Sequence, residues 1–251
     1  MLDRDNTRSP TAVSVRPPRT WDFMETLFVA LLADAVYFVT ATIALLIKLR
    51  MRDDAGSLSR AQLHALWTQG NWYGVALVVG CLSAVVVVWI AVRMAGRGFT
   101  EYLALNWPSA AELAYACAIM TFLLVVEDLA RSYIGGTHLK TDFLVVKSPG
   151  GLLILLIGGC IVGPIAEEFV VRGFMFRGWS ESFAGPIGAI VLTSALWALN
   201  HTQYGWFDRF CIFLMGLALG HFRWRSNSTW LTVIIHSAID IQAFFLAGPY
   251  T

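Results

Sequence analysis

Long apolar runs constrain this chain more than any other feature. Within its 251 residues lie several stretches of about 20 residues that carry almost no charge, the length a helix needs to cross a hydrocarbon core about 30 Å thick. Composition agrees with the runs. Hydrophobic residues make up 57% and charged residues 14% of the sequence, whereas a soluble domain sits near 45–50% apolar and about 25% charged. The fold class expected is all-α, a polytopic transmembrane bundle of about seven to eight helices in one membrane domain over 22–251.

Seven spans are predicted. They run from Phe23 to Leu49, Trp72 to Met94, Ala110 to Leu129, Gly151 to Trp179 (one long helix), Ala184 to His201, Phe207 to Phe222 and Thr229 to Leu246. The segment Gly96 to Pro108 reads as an interfacial connector, and a polar loop with Arg131, His138, Lys140, Asp142 and Lys147 follows the third span. Residues 1–21, with Arg4, Arg8, Arg16, Arg19 and Pro17-Pro18, are expected to form a disordered polar tail. They do not resemble a signal peptide, since the apolar run behind them is too long and lacks a small-residue cleavage pattern. Lys and Arg divide almost evenly between the two sides, so the positive-inside rule favours neither orientation. A net charge of +1 gives no basis for a nucleic-acid partner or for strong attraction to acidic lipid. Cys81, Cys117, Cys160 and Cys211 are scattered through apolar stretches, with neither a disulfide framework nor a CxxC metal site.

Charges inside the fourth span point to function. An ionisable side chain at the centre of a membrane helix costs about 2.5–3.5 kcal/mol on insertion scales and normally faces the protein interior. Glu167, Glu168 and Arg172 all lie there. Glu168 and Arg172 are one turn apart and can pair, which leaves Glu167, rotated about 100° round the helix, with no partner on its own helix. An unpartnered carboxylate in such a setting suits a general base or a metal ligand. At 1.5 Å per residue, Glu167 lies about 18 Å and His201 about 22 Å from the turn that joins their helices. His236 also falls inside the membrane, with Asp240 on the same face one turn later. His64, His138 and His221 lie at loops or helix ends and read as incidental.

Glu167-Glu168-x-x-x-Arg172, Trp197-x-x-x-His201 and His236-x-x-x-Asp240, in that order, resemble the motif series of the CPBP family. These are the CAAX proteases and bacteriocin-processing enzymes, also called the Abi family, and they include the type II CAAX prenyl endopeptidases. The resemblance covers Gly151 to Phe245, including Gly216-x-x-x-Gly220 and a Trp-Leu lead into the last helix. In two places the sequence departs from the pattern. Trp197 stands where the motif usually has Phe, and Asp240 where the prenyl endopeptidases often have Asn.

The resemblance implies a catalytic core at about 151–245 in a multi-pass integral protein of a prokaryotic plasma membrane. Its substrate would be a peptide or lipidated protein held in the bilayer. By position, Glu167 and His201 would activate a water, His236 and Asp240 would stabilise the oxyanion or bind a metal, and Glu168 and Arg172 would brace the site. Glu167, His201 and His236 are also a sufficient zinc set with an open water position, although the usual HExxH arrangement is missing. A metal-free glutamate mechanism draws on the same residues. No serine sits in a Gly-x-Ser-x-Gly context and no cysteine beside a histidine, so the expected nucleophile is water. Two other classes compete: a catalytically silent immunity or scaffold protein, and a proton-coupled transporter whose relay Asp34, Glu127 and Asp128 would extend.

Overall fold

The computed structural model describes residues 19–51, 59, 70–134 and 149–246. Most of the expected tail (1–18) and the loop residues His138, Lys140, Asp142 and Lys147 lie outside these, as does His64. The described residues form helices and no strands. We number the helices α1 (Phe23–Arg50), α2 (Gly70–Met94), α3 (Phe99–Tyr102), α4 (Ala110–Tyr133), α5 (Gly150–Ser180), α6 (Gly185–Asn200), α7 (Trp206–Ser226) and α8 (Thr229–Leu246).

Each of the seven expected spans is a helix, and α3 occupies the expected connector. Four of them, α1, α2, α4 and α5, are long and apolar enough to cross a bilayer. The other three fall short of that standard for different reasons. α6 and α8 have 16 and 18 residues. α7 has 21, but it carries Asp208, Arg209, Arg223 and Arg225 near its ends, and such charges place those ends in protein or at the interface rather than in lipid.

Local chemistry sets several boundaries. Asp22 and Glu25 close a reciprocal capping box at the start of α1, and Ser109 and Glu112 do the same for α4. Asn227 adopts a left-handed conformation (φ 48°) and ends α7 in a tight turn, a conformation Asn tolerates better than most residues. Arg19 to Trp21, read from sequence as the end of the tail, are anchored. The Arg19 N–H donates to the Ala95 carbonyl at 3.0 Å and Trp21 Nε1 to the Ala91 carbonyl at 3.1 Å.

α5 is the most enclosed of the four long helices, with 44% of its most apolar window buried, against 11% for α4. It is not a regular α-helix throughout. Gly158–Val162 and Phe169–Met175 are wound as π-helix, bracketing the α-helical turn Gly163–Glu168. Such turns cluster at functional sites because they free backbone groups and re-aim side chains. One buried core joins α1, α2, α3 and α5 through Val29, Val88, Tyr102, Phe174 and Trp179. A second joins α4, α6, α7 and α8 through Met120, Trp197, Leu219 and Ile235. α6 and α7 approach closely, since a Cβ on Gly216 would lie 2.9 Å from the Ser194 Cβ and one on Gly220 3.0 Å from Ile190.

Candidate active site

The site forms where α5, α6 and α8 meet. Glu168 and Arg172 are one turn apart on α5 with side chains 0% exposed, and Arg172 Nη1 donates to Glu168 Oε1 at 2.9 Å. The same carboxylate oxygen receives His236 Nδ1 from α8, also at 2.9 Å. Sequence assigned Glu168 to Arg172 alone; the fold adds His236 as a second partner. On the far side of that ring, His236 Nε2 stands 3.6 Å from Asp240 Oδ2. This distance is too long for a direct hydrogen bond and compatible with a bridging water.

Glu167 faces α6, where the Trp197 indole Nε1–H donates to its Oε2 at 2.7 Å. Its Oε1 has no hydrogen-bond partner among the described residues. Tyr37 of α1, Tyr73 of α2 and Tyr204 lie within electrostatic reach of the carboxylate. Glu167 therefore lacks a partner on its own helix, as its position on the wheel predicts, but it is held from the neighbouring helix.

His201 caps the C-terminus of α6, where the last four carbonyls of any helix lack intrahelical donors. Its Nδ1 lies 2.7 Å from the Trp197 carbonyl oxygen. A carbonyl only accepts, so Nδ1 carries the proton in the neutral ring and Nε2 keeps its lone pair. Nε2 has no partner among the described residues. The segment after it is pinned by Arg209, which donates to the Tyr204 and Thr202 carbonyls at 3.0 and 2.8 Å. The Tyr204 ring stacks on His201 with centroids 5.9 Å apart. Beside this turn the Asn200 side chain lies within electrostatic reach of the Asp34 carboxylate of α1.

Trp197 is the residue through which these groups communicate. Arg172 lies over its ring at 4.4 Å, and the His201 and His236 rings meet it nearly edge-on at 5.1 and 5.2 Å. All six residues singled out by sequence surround this indole or its immediate neighbours. The expected metal set fares differently. Among the described residues, no three His, Cys, Asp or Glu side chains converge as a metal-binding group. Of the trio Glu167, His201 and His236, the first is engaged by the indole and the third gives Nδ1 to Glu168. Glu167 Oε1, His201 Nε2 and His236 Nε2 stay open to a ligand, and a carboxylate on Nδ1 is the usual outer-shell partner of a metal-ligating histidine.

Three contributors lay beyond sequence reasoning. The Trp197 N–H and the Asp34–Asn200 contact depend on which helices are neighbours. Arg223, 2% exposed, donates its Nε to the Arg172 carbonyl at 3.0 Å, in the π-helical turn of α5. An arginine in the last turn of a helix ordinarily reads as a solvated charge. Of the charges offered for a proton relay, Glu127 is held by Arg131 at 2.6 Å, which also pairs with Asp208 at 2.7 Å, while Asp34 lies beside Asn200 at the site. His221, read as incidental, packs against Tyr115.

Comparison with known families adds a decisive observation. Residues 149–242 match the family model described as type II CAAX prenyl endopeptidase Rce1-like. That segment, which is less than half of the chain, is thus similar to the CAAX proteases. It spans α5 to most of α8 and so contains Glu167, Glu168, Arg172, Trp197, His201, His236 and Asp240, but not Asp34, Tyr37 or Tyr73. No curated protein and no solved structure matches the chain significantly. Four helices long and apolar enough to cross a bilayer, together with this similarity, describe an integral membrane protein.

Proposed function

We propose that the protein is an intramembrane endopeptidase of the prokaryotic plasma membrane. It would hydrolyse a peptide bond of a lipidated or otherwise membrane-held substrate with a water activated by Glu167 and His201. The observation that carries this reading is the pair of unengaged basic atoms, Glu167 Oε1 and His201 Nε2, presented from adjacent helices around one indole.

The remaining roles follow from charge. Arg172 is permanently protonated and keeps Glu168 as a carboxylate. A carboxylate accepts only, so His236 Nδ1 carries a proton. With Asp240 beyond Nε2, the ring can hold a second proton there and donate it to the developing oxyanion. As water attacks the carbonyl carbon, one water proton passes to Glu167 Oε1. The oxyanion collapses, the C–N bond breaks and that proton leaves on the amine. Asp240 lacks the amide donor that an Asn would offer, so its part is to favour the protonated His236 rather than to bind the oxyanion itself.

The test is cleavage of a farnesylated CAAX peptide by purified protein in lipid nanodiscs. Glu167→Gln, His201→Ala and His236→Ala should each lower the rate by about 10²–10⁴-fold, the range for a lost acid–base group, with unchanged thermal denaturation for the first two. Full cleavage by any folded variant of the three contradicts the assignment. Metal analysis with activity before and after chelation tests zinc directly.

A further inference from the structure

Trp197 occupies the place where the motif usually has Phe, and its extra atoms are used. The side chain is 8% exposed. Its indole N–H holds Glu167 Oε2 at 2.7 Å, and its ring face carries the Arg172 guanidinium at 4.4 Å. Its backbone carbonyl takes His201 Nδ1 at 2.7 Å. Arg172 also lies within electrostatic reach of Glu167, and in a dry interior a guanidinium is the strongest competitor for any mobile carboxylate.

Resting on the reading of Glu167 as the base, we propose that Trp197 is a positioning residue that fixes which Glu167 oxygen does the chemistry. The indole stands between the acid and the arginine. Its face satisfies the cation, and its N–H anchors Oε2 so that Oε1 stays turned to the reacting water. A phenyl ring at this position keeps the face and loses the donor. Glu167 is then free to swing to Arg172, where an ion pair silences it as a base. Because one residue supplies both the N–H to Glu167 and the carbonyl to His201, the two basic atoms are also held in register with each other.

The test compares three replacements of Trp197 in the full-length protein in nanodiscs. These are Phe, the tryptophan isostere benzothienylalanine (sulfur in place of the N–H), and 5-fluorotryptophan, which keeps the N–H. With the farnesylated CAAX peptide as probe, Phe and benzothienylalanine should lower kcat roughly tenfold to hundredfold, the scale of one hydrogen bond to a charged group, with KM within about twofold. The fluorinated side chain should retain kcat. A merely structural tryptophan would tolerate the isostere, which preserves shape even where Phe does not fold. Independently of turnover, one of the ten indole ¹H–¹⁵N resonances, identified by its loss in W197F, should shift in E167Q. Wild-type kcat in the isostere overturns the proposal, as does an indole resonance indifferent to E167Q. Full cleavage by E167Q instead removes the base assignment, while the resonance still reports whether the bond exists. If the wild type leaves the probe uncut, the resonance alone decides.

Discussion

At the scale of single residues, the site rests on a buried charge cluster that is stable only when complete. Glu168 accepts from both Arg172 and His236 while fully enclosed. Removing one partner of a buried pair strands the other, at a cost of about 3–5 kcal/mol, whereas replacing both with uncharged groups of similar size is often nearly neutral. Arg172→Met should therefore lower the thermal denaturation midpoint sharply in detergent micelles. The double variant Glu168→Gln/Arg172→Met should recover most of that loss, because the introduced amide carbonyl still accepts from His236 Nδ1. Cleavage should not recover in the double variant. Recovery of both would mean that the cluster serves folding and not chemistry.

At the scale of helices, two features make α5 the platform of the candidate site. Its π-helical turns aim Glu167 at α6 while Glu168 and Arg172 stay on the face towards α7 and α8. Arg223 from α7 occupies the Arg172 carbonyl in the second of those turns. α6 must also sit close to α7, and Gly216 and Gly220 permit that contact with Ser194 and Ile190. Gly216→Val adds a branched side chain where even a Cβ is crowded. Overpacking of this kind costs about 1–3 kcal/mol, and here it should also tilt α6 and carry Trp197 and His201 away from Glu167. The expected result is lower thermal stability together with a fall in kcat. Gly220→Ala should be milder, because it adds a single carbon whose tightest contact is the Ile190 Cγ2 methyl at 3.0 Å. Equal effects from the two substitutions would contradict this account.

At the scale of the whole molecule, α1 and α2 lie outside the family match yet wall one side of the site. Tyr37, Tyr73 and Asp34 approach it from those helices. Their attachment depends on Trp179, which is 1% exposed. It donates to the Phe23 carbonyl at 3.0 Å and stacks on the Phe23 ring at 4.9 Å. Trp179→Ala should cost about 3–5 kcal/mol, the range for deleting a buried aromatic, and should loosen α1 from α5. Limited proteolysis in nanodiscs would detect this as new cleavage near residues 19–23 before any loss of helical circular dichroism. Unchanged proteolysis would show that α1 is held by other contacts.

Sequence by itself determined the helices and picked out the candidate site residues. The apolar runs located all seven long helices, four of which meet the length that a bilayer demands, a demand written residue by residue. Helical periodicity paired Glu168 with Arg172 and set Glu167 apart, because both relations are local to one helix. Tertiary structure alone decided which side chains meet across helices. That His236 shares Glu168 with Arg172, that Trp197 holds Glu167, and that Arg223 reaches the Arg172 carbonyl all depend on helix rotation and separation. Packing between helices fixes those quantities, and no spacing within a single helix encodes them.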